Sequence, residues 1–193
     1  MSKSIPTPND KEVKELIALY KAKDFNKLKN KADAILEKNK EHHIALNILG
    51  LSFTAQGDIE KALRSFDESI KIKPDYAVAY NNKANIFLKK KEYDEAIILF
   101  KKAYNFDPTT KIKFNLANCY FKKEEFDEAI QIYEEIIDSD EKLLEAHKNL
   151  GLSYQAKEKY DEALKVFERI LIIDSHNIDA KFTIQASTNK IKF

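Results

Sequence analysis

The chain has 193 residues with 33 basic and 32 acidic side chains and an apolar fraction of 44%. That is enough apolar material for a buried core, while the cancelled charge supplies no overall field to draw the chain onto nucleic acid or an anionic membrane. The single cysteine, Cys119, excludes an internal disulfide framework, and three glycines with four prolines leave few sharp turns, a balance that predicts an all-α chain with short connections.

In chain order, the opening MSKSIPTPND has no apolar stretch of the kind a secretory signal needs, and residues 1–8 read as a disordered tail. No apolar run reaches the roughly 18 to 20 residues that cross a bilayer. A cytoplasmic setting is the expectation. From Asn9 to His42 the sequence carries a weak form of a pattern that becomes regular downstream, with Phe25, Leu28 and Ala32 at periodic sites.

Beyond His42 the chain repeats. The segments 57–70, 91–103, 124–136 and 157–170 align on Ala62, Ala96, Ala129 and Ala163, spaced 34, 33 and 34 residues apart. Four residues after each alanine stands Phe66, Phe100, Tyr133 or Phe167, so small and large side chains share one helical face. The intervening segments 45–53, 79–87, 114–120 and 147–154 end on Phe53, Phe87, Tyr120 and Tyr154 and carry Gly50, Ala84, Ala117 and Gly151 three residues earlier. Bulk at those small sites would hold two neighbouring helices apart. Pro74 and Pro108 follow two of the second helices, where a residue without an amide hydrogen ends a helix.

These residues resemble the tetratricopeptide repeat family, whose 34-residue pattern runs through an aromatic, Leu-Gly, Tyr, Ala, Phe and Pro. In residues 43–76 the pattern reads Leu46, Leu49, Gly50, Phe53, Ala62, Phe66 and Pro74; in 77–109 it reads Tyr80, Ala84, Phe87, Ala96, Phe100, Ala103 and Pro108. Units 110–143 and 144–177 keep the stripe but have Glu141 and Ser175 at the proline site. Residues 9–42 then form a degenerate first unit and 178–193 a capping helix that ends on the apolar Ile191 and Phe193. The resemblance implies a right-handed superhelical solenoid of helix-turn-helix repeats, with the first helix of each unit lining the concave wall.

On those first helices asparagine recurs. Asn82, Asn115 and Asn149 stand two residues before the small site of three consecutive units, Asn85 and Asn118 lie one turn further on, and Asn47 and Asn81 stand one site earlier. Asparagine costs up to about 0.7 kcal/mol against alanine inside a helix. A side-chain amide, however, can donate to and accept from one peptide group regardless of sequence. Repeats about 10 Å apart would meet about every third residue of an extended chain rising about 3.3 Å per residue. The pattern resembles the asparagine ladder in the repeat arm of O-linked N-acetylglucosamine transferases, which implies these seven asparagines as peptide-binding residues. Two other uses stand beside that one, solvated helix faces and hydrogen bonds between adjacent helices. Lys148, with Lys89, Lys111 and Lys122, can add charge near the groove, although solvated lysine is the more ordinary role.

No catalytic or metal-binding arrangement is present in the sequence. His42, His43, His147 and His176 lack ligand spacing, Cys119 falls where other units have Ser52, Ile86 and Ser153, and no glycine-rich phosphate loop occurs. No cofactor is implied. The carboxylate clamp of chaperone-binding relatives is incomplete, since the five sites read Asn47, Leu51, Asn82, Lys111 and Asn115 in one frame and include Glu145 in the next. The expected function is a scaffold that binds an extended peptide or helix of a partner protein, not an enzyme. The alternative is the substrate-recruiting arm of a larger glycosyltransferase or sulfotransferase. Self-association through the apolar last helix is a third reading.

Overall fold

The computed structural model describes residues 10–191, without the side chains of Asp10, Asn189 and Ile191. The expected tail at 1–8 and the terminal Phe193 lie outside the described residues. Every described element is helical: α1 Asp10–Lys21, α2 Phe25–Lys38, α3 His43–Gln56, α4 Ile59–Ile72, α5 Ala77–Lys89, α6 Tyr93–Phe106, α7 Thr110–Lys122, α8 Phe126–Ser139, α9 Leu144–Ala156, α10 Tyr160–Ile173 and α11 Ile178–Ile191.

Successive helices pair through one recurrent turn. Lys23, Gly57, Lys91, Glu124 and Glu158 all adopt left-handed backbone, with φ of 56°, 82°, 64°, 66° and 58°. The following residue donates its N–H to the carbonyl five residues back: Asp24 to Leu19, Asp58 to Phe53, Glu92 to Phe87, Glu125 to Tyr120 and Lys159 to Tyr154, all at 2.9–3.1 Å. This closes the carbonyls that a helix end leaves open. Few sharp turns were expected from three glycines, yet five occur, four of them on Lys or Glu at a cost of about 1–2 kcal/mol each. Five helices start on a side-chain cap: Asp24 and Asp58 accept from Lys27 N and Lys61 N at 3.2 Å, His42 Nδ1 from Ala45 N at 3.1 Å, Thr109 Oγ1 from Ile112 N at 3.5 Å and Asn177 Oδ1 from Ala180 N at 3.0 Å.

Helix pairs close most tightly at the small sites. A Cβ added to Gly50 would lie 2.5 Å from Phe66 Cε1, and one on Gly151 would lie 2.6 Å from Phe167 Cζ. Glycine is therefore required where these aromatic rings, both fully buried, fill the space under the first helix. Ala84 and Ala117 fill the same role opposite Phe100 and Tyr133, all buried.

Connections between pairs differ at one place. The links after α2, α4, α8 and α10 have four residues and a turn bond, as in Tyr76 N–H to Lys73 O at 3.1 Å and Leu143 N–H to Asp140 O at 3.2 Å. The link after α6 has three, Asp107 to Thr109, with Thr109 extended at ψ 147° and no corresponding bond among the described residues. The one-residue shortening is visible in the sequence as the 33-residue interval. At this link the chain divides into two compact units, one ending at Asp107 and the other beginning at Pro108.

Candidate functional site

In the first unit, α1, α3 and α5 line a groove of about 310 Å³. Its polar lining is Thr54, Asn82, Asn85 and Lys89; Tyr20, Leu51, Ala55 and Ile86 supply the apolar part. The asparagines are already engaged with the fold. Asn82 Nδ2 donates to Asn47 Oδ1 at 3.0 Å, joining α5 to α3, and Asn47 is only 3% exposed. Asn85 Nδ2 donates to the carbonyl of Asn81 at 2.8 Å, one turn back in its own helix, and the Asn81 side chain is buried. Each bond uses one N–H and sets the amide plane. Asn82 and Asn85 both still face the groove.

The second unit makes the equivalent bond differently. Asn149 Nδ2 on α9 donates to Asn118 Oδ1 on α7 at 2.8 Å, and the same oxygen accepts the Tyr133 hydroxyl at 2.6 Å. Asn149 Nδ2 also lies 3.4 Å from the Tyr133 oxygen. Tyr133 is 0% exposed. Burial drives its hydroxyl pKa far above that of an ordinary phenol, so the group stays protonated and donates. Asn115, half-buried on α7, stands one turn before Asn118. The Tyr133 hydroxyl was missed in the sequence, where Tyr133 reads as one more large residue in a phenylalanine column; the signal was a lone hydroxyl there, facing asparagine-bearing first helices.

Lys148 is exposed on α9, and its Nζ pairs with Asp179 of α11 at 2.9 Å. Beneath that pair lies a pocket of about 170 Å³ between α9, α10 and α11. Leu144, Leu152, Phe167, Ile170 and Ala180 supply its apolar lining, while Glu145, Thr183 and the ion pair form its rim. His147 points to the other side of α9; it is 3% exposed, and its Nε2 donates to the carbonyl of Glu141 at 2.9 Å. Burial lowers its pKa. Tyr154 donates to Glu134 at 2.5 Å, and burial followed by that carboxylate raises its pKa.

Three of the side chains considered for chemistry in the sequence have structural roles. His42 caps α3, His43 packs edge-on to Tyr76 with ring centroids 4.8 Å apart, and Cys119 is buried. Among the described residues no cluster of His, Cys, Asp and Glu could hold a metal ion, and no helix is long and apolar enough to cross a membrane.

Family comparisons agree with the helix pairs. Residues 41–109 match the family model described as tetratricopeptide repeat, and residues 89–170 match that of anaphase-promoting complex, cyclosome, subunit 3. A 66-residue segment, 34% of the chain, is 33% identical to the tetratricopeptide repeat domain-containing protein PYG7, chloroplastic, of Arabidopsis thaliana. The match covers 22% of that relative, so the chain spans about a fifth of its length. Among solved structures, YrrB, described as a TPR protein with an unusual peptide-binding site, superposes with a TM-score of 0.72 at 22% identity over 83% of this chain and 84% of its own. MamA from Desulfovibrio magneticus RS-1 gives 0.75 at 18% identity over 89% and 99%. Those two show the fold. With matching models meeting across residues 41–170, and with the small-large helix pairs and their recurrent turn in place, the chain belongs to the tetratricopeptide repeat proteins.

Proposed function

We propose that this chain is a protein-interaction scaffold that holds an extended segment of a partner along the first helices of its repeats. The observation that carries the reading is the placement of Asn82 and Asn85 together on the lining of the α1–α3–α5 groove, beside Lys89. Each amide is oriented by one bond to the fold and retains a carbonyl oxygen and an N–H with which to meet a peptide group. A pre-oriented amide loses little rotamer freedom on binding, which favours affinity. The description of YrrB as carrying a peptide-binding site is in keeping with the same use of the fold. In unit 2, Asn115, Asn118 and Asn149 extend the reading to α7 and α9, with the difference that Tyr133 fixes Asn118.

The test uses the full chain. Peptides selected from a displayed random library are titrated, by fluorescence anisotropy, against wild type, Asn85→Ala and the triple variant Asn82→Ala, Asn115→Ala, Asn149→Ala. Each lost amide–peptide bond is worth about 0.5–1.5 kcal/mol, so a few-fold loss is expected for Asn85→Ala and a larger one for the triple variant. Unchanged affinity together with a lower thermal midpoint would show that the amides serve the fold alone, and the groove assignment would be wrong.

A further inference from the structure

The pocket between α9, α10 and α11 differs in kind from the amide-lined groove of the first unit. It is small, about 170 Å³, below the roughly 300–1,000 Å³ of cavities that take whole small molecules. Its deep lining is aliphatic and aromatic, with Phe167, Ile170 and Ala180 buried outright. Its rim is charged, and unevenly. Lys148 is committed to Asp179 at 2.9 Å, whereas Glu145, exposed on α9 one turn before, has no ion-pair partner among the described residues. Two acids and one base leave the rim with a net negative charge.

Next to this pocket α11 presents an apolar surface to solvent. Phe182 is 73% exposed and Ile178 is 78% exposed. Phe182 follows Asp179 by three residues and precedes Thr183, so its side chain projects from the helix close to the rim. Two large apolar groups exposed beside an aliphatic pocket mark a binding surface more than a solvated face.

From this arrangement we infer that the second unit carries an anchor subsite for one aliphatic side chain of an extended partner segment, with a lysine or arginine of that segment placed against Glu145. This deepens the scaffold reading and rests on it: side-chain amides grip backbone without regard to sequence, and the anchor pocket of the second unit supplies a sequence preference there. The pocket accepts an isoleucine, leucine or methionine by burying it on Phe167 and Leu152. Phe182 covers the next apolar residue of the segment. A neighbouring acid is disfavoured by Glu145 and Asp179, which is how the rim selects.

The test is a set of fluorescein-labelled peptides with a fixed central residue (Leu, Ile, Ala or Asp) and Lys, Ala or Glu fixed beside it, the other positions randomised. Anisotropy titrations use the full chain as wild type, Thr183→Phe, Glu145→Lys and Asn85→Ala. Leu or Ile at the centre is expected to bind about tenfold or more tighter than Ala, as burial of an aliphatic side chain implies. Thr183→Phe fills the pocket and should abolish that preference with an unchanged circular dichroism melt. Glu145→Lys should invert the flanking preference from Lys to Glu. A central preference absent in wild type, or intact in Thr183→Phe, overturns the inference. Should Thr183→Phe unfold, Leu152→Ala, which enlarges the pocket, should shift preference towards larger side chains, and an unshifted profile would count against the subsite. If Asn85→Ala weakens all peptides alike while the centre carries no preference, the scaffold reading stands and the anchor subsite falls. Sedimentation of the chain alone provides the remaining contrast: a dimer dissociated by Thr183→Phe would make a second copy the occupant and overturn the inference as well.

Discussion

In the unit ending at Asp107, α3 and α5 are joined by one amide pair, Asn82 to Asn47, and the residues buried beneath these two helices are Phe66 and Phe100. In the unit beginning at Pro108 the corresponding donor, Asn149, reaches an asparagine one turn further along the preceding helix, Asn118, and shares it with the Tyr133 hydroxyl. Asn47 and Asn118 stand three residues before and one residue after the small site, so they lie on the same helical face. The comparison teaches that the donor position is the invariant part and that the acceptor is chosen by what lies below. A buried hydroxyl in the second unit needs a partner, and Asn118 Oδ1 is placed to take it.

The largest effect should come from the feature that both units share. Gly50→Ala and Gly151→Ala push a methyl group to within 2.5 and 2.6 Å of ring atoms of Phe66 and Phe167. Overpacking of this kind costs about 1–3 kcal/mol. Because the two approaches are alike, chemical denaturation should show similar losses for each, and Phe167→Leu should recover part of the Gly151→Ala loss. A loss in only one unit would break the equivalence of the two helix pairs.

A smaller effect should divide them. Asn118→Ala leaves both the buried Tyr133 hydroxyl and Asn149 Nδ2 without their acceptor, which costs about 1–3 kcal/mol for an unsatisfied buried donor. Asn47→Ala strands only Asn82, which is half-buried and can turn to water. The expected order in urea unfolding is therefore Asn118→Ala worse than Asn47→Ala, and the gap should shrink when Tyr133→Phe is added to both. An unchanged gap would mean that the hydroxyl contributes nothing to the difference.

What the sequence revealed follows from periodicity. Alanine and an aromatic four residues apart, repeating every 33 or 34 residues, can be satisfied only by stacked helix pairs, and Gly50 and Gly151 sit where those pairs touch. The 33-residue interval also marked the short link at Asp107–Thr109. Left-handed Lys91, Glu124 and Glu158 were not legible, because their conformation is imposed by the helices on either side and not by their own preference. The site was legible only in part. Spacing placed Asn82 and Asn149 on one face, but their first hydrogen bonds go to Asn47 and Asn118, and such partners depend on how far neighbouring helices are staggered. The pocket under Lys148 and Asp179 arises from three helices meeting, a matter of packing that no local pattern records.

The smallest effect concerns pH, and it again separates the units. His147 is buried in α9 with Nε2–H bonded to the Glu141 carbonyl, and burial lowers its pKa. The unfolded chain then takes up the proton at a higher pH than the folded one. Stability is therefore complete above the ordinary histidine value of about 6.5 and declines as pH falls through it towards the lowered folded value. His43 in the first unit shifts the same way, through burial first and then Lys73 and His42, but its ring is only half-buried, so its contribution is smaller. Hydrogen exchange resolves the two sites where a single melting curve would not. Between pH 7.5 and pH 5.5, with intrinsic exchange rates corrected, amides of α9 should lose more protection than those of α3, by about 1 kcal/mol or less. His147→Gln keeps an N–H for the Glu141 carbonyl and removes the titration, so it should flatten the α9 response and leave α3 untouched. Equal responses at both helices in wild type would mean that the acid sensitivity is not local to His147, and the buried imidazole could then be replaced without moving the pH profile.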